Sequence, residues 1–304
     1  MIVDLNKLDT EKNNINTRNI DRLSTIDMIN IINKEDFFVA EAVKAETENI
    51  AKAVDLIHSK MAKGGRLFYV GAGNSGRLGV LDACECPPTF GVKTGTVIGI
   101  LSGGYDATVN ANEGSEDVED GALEELKKHN FNENDAIVGL SASGRTPYVK
   151  GALKYAKELG AAYIAVSCVR NAEMSKLAEV AIEVVTGAEV ITGSTRLKAG
   201  TAQKMILNML STGTMIKLGK VYGNYMVDVR ANNNKLVERS KKIIMDCTGV
   251  DREVAEKYLV MSDKSVKLAV FMILSGLSKE ESIEALANND NTIYKGLEAV
   301  KNNK

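Results

Sequence analysis

Two short glycine-rich turns, each set between an apolar run and a helical pattern, constrain this chain most. The first is Gly71-Ala-Gly-Asn-Ser-Gly-Arg77, after the run Arg66–Val70. The second is Ser141-Ala-Ser-Gly-Arg-Thr-Pro147, after Ala136–Leu140. A turn that leaves a buried strand and opens a helix presents unpaired backbone N–H groups to an anion. Serine, threonine and asparagine side chains add donors for phosphate oxygens or sugar hydroxyls. Two such turns in one α/β unit point to a phosphorylated, hydroxyl-rich small molecule.

The rest of the pattern builds that unit. Short continuous apolar runs at Leu67–Val70, Thr96–Leu101, Ala136–Leu140, Ala162–Ser167 and Val180–Val185 predict parallel strands covered on both faces. Helices are expected at Ser75–Ala83, Asp117–Lys128, Pro147–Leu159 and Ser175–Ala178, with Pro147 suited to a first helical turn. The alternation predicts an open, doubly wound parallel sheet, whose ligands sit outside the carboxyl ends of the strands. Both turns fall there. Residues 1–20 are polar and read as an arm or mobile start. Residues 25 to 63 are helical in pattern, with Ile50, Val54, Ile57 and Met61 on one stripe. A long helix is expected from Thr195 to Leu218, ended by Gly219. Past Asn232 only helices are readable, near Lys235–Cys247, Asp251–Tyr258, Lys264–Ser275 and Lys279–Ala287. The expected division is an N-terminal arm and helix (1–45), a phosphosugar-binding α/β domain (46–230) and a C-terminal helical subdomain (231–304).

Composition removes several classes of function. A net charge of −2 with no basic, aromatic-interleaved stretch argues against a nucleic-acid partner. Four cysteines in 304 residues make no disulfide framework and fit a reducing cytoplasm. The start lacks a signal-peptide core, and no 18-residue apolar run exists, so no membrane partner is expected.

The motifs separate further. Gly71-x-Gly-x-x-Gly76 matches the dinucleotide fingerprint, but the second strand ends in Ser102-Gly-Gly104 where a ribose-binding acid belongs. A tight strand–helix turn without ligand is the plain alternative. Ser141, Ser143 and Thr146 place three hydroxyls at one helix start, where a simple cap needs one. In Asp82-Ala-Cys-Glu-Cys-Pro-Pro88 the prolines would stiffen the exit from a helix and hold Glu85. Cys84 and Cys86, with only His58 and His129 elsewhere, give no zinc spacing. Asn112-Glu-Gly-Ser-Glu-Asp117 reads either as a helix start capped by Ser115 or as the source of a second working carboxylate. Without an evident catalytic histidine, carboxylates are the natural proton-transfer groups. Gly193–Lys204 opens the long helix with a polar, cationic start suited to an anion or a subunit contact. Asp228 ends a similarly polar loop and has no role derivable from its type.

Taken in order, Gly71–Gly79, Cys86-Pro-Pro88, Ser141–Tyr148, Gly193–Lys204, Leu207–Gly213 and Gly223–Asp228 resemble the N-acetylmuramic acid 6-phosphate etherases. These belong to the sugar isomerase (SIS) superfamily. The resemblance runs from about Asn19 to the C-terminal helices. It implies a three-layer α/β/α SIS-type parallel sheet, flavodoxin-like, with a C-terminal helical bundle, in a homodimer. It implies cleavage of the lactyl ether at C3 of a phosphorylated amino sugar, giving N-acetylglucosamine 6-phosphate and D-lactate. Ring opening, loss of the C2 proton, departure of lactate and addition of water would be the steps, with no metal and no cofactor. The family's two acids map onto Glu85, as proton donor, and Glu116, as a second acid/base. Asn74 stands where a threonine is common and keeps a hydrogen-bonding side chain. The substrate-binding set is then Gly73, Asn74, Ser75, Ser141, Ser143, Gly144, Arg145, Thr146, Ser194 and Lys198. A non-catalytic sugar-phosphate sensor and an aldose–ketose phosphosugar isomerase are the competing classes.

Overall fold

A computed structural model describes residues 9–110, 114–229 and 234–302. The start Met1–Lys7, Asn112 and Glu113 of the acidic motif, and Asn232–Asn233 lie outside the described residues. The described chain forms two compact units, one up to Cys84 plus Gly95–Ser211, the other Glu85–Thr94 plus the residues from Thr212 on.

The first unit begins with short 3-10 turns over residues 9–22, which the sequence reads as an arm. Thr17 there donates to the Val190 carbonyl at 2.8 Å, and Asn14 to Glu35 at 2.8 Å. Helices α1 (Thr25–Ala45) and α2 (Thr47–Met61) follow, over the stretch that is helical in pattern. The chain then alternates as expected: β1 (Leu67–Gly71), α3 (Gly73–Phe90), β2 (Val97–Leu101), α4 (Gly121–Lys128), β3 (Ala136–Ser141), α5 (Pro147–Leu159), β4 (Ala162–Ser167) and β5 (Val180–Glu183). The five strands are parallel in the order β2-β1-β3-β4-β5. Leu67 pairs with Val97 on one side and with Ala136 on the other. This is the flavodoxin-like order, and its switch point lies between β1 and β3. The two glycine-rich turns leave those two strands.

Helices cover both faces, and side-chain alternation along the strands shows how. Phe68, Val70 and Ile137 face one way, in a buried cluster with Leu126 of α4 and Val149 and Leu153 of α5. Tyr69 and Leu140 face the other way, against α3. A methyl group at Gly79 of α3 would lie 2.8 Å from Tyr69 Cβ, so the bare glycine lets this helix lie close on the sheet.

Several helices differ from expectation, the long one starting at Lys198 instead of Thr195. Helix α3 runs through Pro87 and Pro88 to Phe90 instead of stopping at Ala83. Each proline removes one i→i−4 bond, and burial of Cys86 and Phe90 in the added turns offsets that loss. Residues 114–117 form a 3-10 turn, and α4 starts only at Gly121. The backbone between them is used for packing: a methyl at Gly151 of α5 would sit 1.9 Å from the Glu119 carbonyl oxygen. The short helix expected at Ser175–Ala178 is a 3-10 turn, Met174–Leu177. Helix α6 (Lys198–Lys217) closes the α/β part.

Among its described residues the second unit holds the ends of α3 and α6, a hairpin and five further helices. The hairpin strands are β6 (Val221–Tyr222) and β7 (Tyr225–Met226), with Gly223 at φ +57° in the turn. Helices α7 (Asn234–Thr248), α8 (Arg252–Met261), α9 (Val266–Ser275), α10 (Lys279–Ala287) and α11 (Ile293–Asn302) surround a core that includes Val227, Ile244, Leu259 and Phe271. Asp228 ties the hairpin to α9, receiving Lys220 at 2.8 Å and Lys267 at 2.9 Å on one carboxylate oxygen. Burial pulls the Lys267 ammonium below its ordinary pKa, against the pull of Asp228.

Candidate functional site

The second glycine-rich turn gathers its hydroxyls on one atom. Ser141 Oγ lies 2.8 Å from Thr146 Oγ1 and 3.4 Å from Ser143 Oγ, and it accepts from the Gly144 N–H at 3.1 Å. Thr146 is the N-cap of α5, yet its hydroxyl makes no capping bond to that helix. The three hydroxyls are therefore gathered around Ser141 beside a helix start. Gly144 makes this possible. Its φ is +66°, and a methyl there would lie 2.4 Å from Ala172 Cβ. Ala172 is fixed in turn by Glu183, whose carboxylate accepts from Asn171 N and Ala172 N, both at 2.9 Å. Arg145 stands 3.8 Å from Glu173, which also binds Lys150.

The first turn is braced by other elements. Gly71 and Gly76 approach so closely that a methyl on Gly76 would meet the Gly71 carbonyl oxygen at 2.5 Å. Gly73 takes φ +52° and opens α3. Ser75 donates to Gln203 of α6 at 2.9 Å. The Asn74 amide lies against Gly200, where a methyl would be 2.7 Å from its nitrogen. Farther along α3, Asp82 is buried and receives Tyr69 from β1 and Lys204 from α6, each at 3.0 Å.

Helix α6 is itself anchored at its start. Buried Glu189 accepts from the backbone N–H groups of Lys198 and Ala199, both at 2.9 Å. Burial raises the Glu189 pKa, and those two bonds oppose the rise. The Lys198 side chain is buried and bonded to Glu35 of α1 at 2.8 Å. Burial alone would raise the Glu35 pKa. Hydrogen bonds from Lys198, Asn16 and Asn14, with the Lys198 charge, bring it below its ordinary value. Ser194 lies in the turn before α6 and is half-buried.

The two acids stand in different units: Glu85 in the second, exposed on α3, and Glu116 in the first, exposed in the 3-10 turn before α4. Ser102, at the end of β2, donates to Ser115 beside Glu116 at 2.9 Å. Arg77, the last residue of the first turn, sends its guanidinium onto the carbonyls of Ala107, Thr108 and Asn110.

Sequence reasoning did not identify Arg77, Asp82, Glu183, Glu189, Gln203 or Lys204 as parts of this network. They sit far in sequence from their partners, and no local pattern signals such a contact. Of the cysteines, Cys168 is fully buried and its thiol is pushed well above its ordinary pKa, so it is no nucleophile. Among the described residues no three His, Cys, Asp or Glu side chains cluster as metal ligands, and no helix is long and apolar enough to cross a membrane.

With this geometry in place, similarity to known proteins is decisive. The chain is 54% identical over 300 residues to an N-acetylmuramic acid 6-phosphate etherase of Clostridium beijerinckii, covering 99% of each chain. It is 55% identical over 298 residues to one of Clostridium botulinum, covering 98% of this chain and 99% of the other. The chain belongs to the N-acetylmuramic acid 6-phosphate etherase family. Family models agree with that membership: an SIS domain matches residues 113–213, and the N-terminal SIS domain of glucokinase regulatory protein matches 49–157. The C-terminal lid domain of the same regulatory protein matches 223–267. The solved structure of a phosphoheptose isomerase from Francisella tularensis aligns with a TM-score of 0.47 at 18% identity, over 63% of this chain and 98% of that one.

Proposed function

We propose that this protein cleaves the C3 D-lactyl ether of N-acetylmuramic acid 6-phosphate in cell-wall amino-sugar recycling. The products are N-acetylglucosamine 6-phosphate and D-lactate. The observation that carries the reading is 54% identity over 99% of the chain to a protein of that name, with Glu85 and Glu116 both present. The sensor and isomerase readings are not favoured.

In this reading the sugar phosphate sits on Ser141, Ser143 and Thr146, with Gly144 and Arg145 completing the turn. Gly73, Asn74, Ser75, Ser194 and Lys198 form the rest of the binding set, Ser75 acting through its bond to Gln203 of α6 and Lys198 through its bond to Glu35. Holding the remote phosphate orients C2 and C3, so binding energy is used at the reacting bond. Loss of the C2 proton beside the opened aldehyde creates enolate-like charge that positioned donors stabilise. Glu85 gives a proton as lactate leaves, Glu116 acts as the second acid/base, and water then adds. We further assign the protein to the cytoplasm, as a homodimer, with a division at 1–45, 46–230 and 231–304.

The test is D-lactate release from N-acetylmuramic acid 6-phosphate by purified protein with chelator present. Wild type should release lactate, and a folded Glu85→Gln variant should lose at least about a hundredfold in rate. Sugar phosphates interconverted without lactate would establish the isomerase class instead.

A further inference from the structure

The 105–110 segment is a surface loop with little to hold it. Tyr105 is 85% exposed and Val109 78%, and of the loop's side chains only Ala107 is buried. Its backbone bonds are local: Ala107 N to Gly104 O, and Val109 N and Asn110 N to Asp106 O. Thr108 turns its hydroxyl back to Tyr105 O. None of these ties the loop to the sheet.

Arg77 supplies that tie. Its Nε donates to Ala107 O at 2.9 Å and Thr108 O at 3.1 Å, and its Nη2 to Asn110 O at 2.9 Å. A guanidinium is planar, permanently charged and forked, so it can hold several carbonyls in fixed relative positions. Its own backbone is that of the fifth residue of α3, next to Gly76 of the close Gly71–Gly76 approach.

What the loop leads to gives this its meaning. Four residues past Asn110 the 3-10 turn Gly114–Asp117 begins, and it carries Glu116. On the near side of Glu116, Ser102 holds Ser115. On the far side, the Glu119 carbonyl rests on Gly151, and Lys154 bonds the Glu119 carboxylate at 2.5 Å. The downstream side is thus fastened to α5 and Ser115 to the end of β2, while Arg77 holds residues 107–110 ahead of the turn.

We infer that Arg77 is a positioning residue for Glu116: it fastens the segment before that acid to the first glycine-rich turn. Changes at that turn then reach the carboxylate by two routes, this guanidinium and Ser102, whose N–H donates to Gly71 O at 3.0 Å and whose hydroxyl holds Ser115. The inference rests on the acid/base role proposed for Glu116. Arg77 acts on where the carboxylate stands and leaves the phosphate nest untouched.

The experiment is a double-mutant cycle on the full chain, read as kcat and KM for lactate release, with Tm recorded for every variant. The variants are Arg77→Met, Arg77→Lys, Glu116→Gln and the two Arg77 substitutions combined with Glu116→Gln. Arg77→Met should lower kcat by about ten- to a hundredfold, the scale of a misplaced reacting group, with KM changed by less than about threefold. Arg77→Lys keeps charge and stem but loses the fork, so it should recover only part of that loss. In the Glu116→Gln background either Arg77 substitution should cost less than about twofold, because groups acting as one unit are not additive. A folded Arg77→Met or Arg77→Lys variant with wild-type kcat overturns the inference. So does an equal loss in both backgrounds, which would make Arg77 independent of Glu116. Should Arg77→Met fail to fold, the Arg77→Lys arm decides alone. Glu116→Gln with unaltered kcat would instead remove the role assigned to Glu116, an outcome visible before any Arg77 variant is read.

Discussion

The two glycine-rich turns obey one sequence grammar and do opposite work. Each leaves a central strand at the switch point, and each opens a helix. The side chains of the first are turned toward protein: Ser75 to Gln203, Asn74 to Gly200, Arg77 to three carbonyls. Those of the second are turned toward each other, on Ser141. One turn is a joint between helices and a loop, the other a cluster of donors. A glycine-rich strand–helix turn therefore specifies a backbone shape, and the partners of its side chains decide whether that shape braces or binds.

The largest effect is expected where the bracing begins. Lys198→Met leaves Glu35 buried without its cation, and breaking a buried pair this way costs about 3–5 kcal/mol. The damage should fall on α6 and the first turn, so sugar-phosphate affinity of the protein that remains folded should stay within about threefold. A loss of affinity with unaltered Tm would give Lys198 a direct ligand role and break the comparison. The same pair predicts a pH dependence. The Glu35 pKa is lowered in the folded state, so its contribution is present above its ordinary 4.5 and lost as pH falls through the folded value. The Tm gap between wild type and Lys198→Met should narrow as pH is lowered below about 4.5. A gap constant from pH 7 to 3 would contradict the pairing.

Within the second turn, Gly144→Ala meets two obstacles. A left-handed backbone costs an L-residue about 1–2 kcal/mol, and overpacking against Ala172 adds about 1–3 kcal/mol. Gly73→Ala, also at positive φ, meets nothing within 4 Å and should cost only the first of these. Chemical denaturation of both variants compares them directly. Equal losses would mean the Ala172 contact relaxes freely and that Glu183 does not hold it in place.

The sheet was legible because parallel strands buried on both faces are continuous apolar runs, and all five appear within about two residues of their expected ends. The donor cluster was legible because three hydroxyls exceed what a cap needs. The misread parts share a cause. Pro87 and Pro88 signal a helix end locally, yet burial of Cys86 and Phe90 carries α3 past them. The hairpin at Val221–Met226 is too short to show a period, and α11 follows Asp290 and Asn291 at positive φ, although Ile293, Leu297 and Val300 give it a stripe that could have been read. Arg77 and Glu189 look like ordinary surface charges until the carbonyls and amides they serve, 30 and about ten residues away, are brought beside them.

The smallest effects sharpen the comparison most, because they exchange one hydroxyl in each turn. Ser141→Ala removes the atom on which Ser143, Thr146 and the Gly144 N–H converge, so sugar-phosphate binding should weaken by about 1.5–3 kcal/mol, the range for bonds to a charged group. Ser75→Ala removes a buried neutral bond to Gln203, so it should cost about 0.5–1.5 kcal/mol of stability and shift binding less than Ser141→Ala does. Gln203 bears on the second figure. Its Nε2 is buried and has no partner, so losing the Ser75 bond leaves both ends of the amide unpaired and pushes the cost toward the upper limit. Paired titrations of a sugar phosphate, with Tm on the same samples, place each serine on a plane of affinity against stability. Ser141 should move along the first axis and Ser75 along the second. If the two move together along affinity, the first turn is a binding element as much as a joint, and its contacts with α6 then serve to aim its donors.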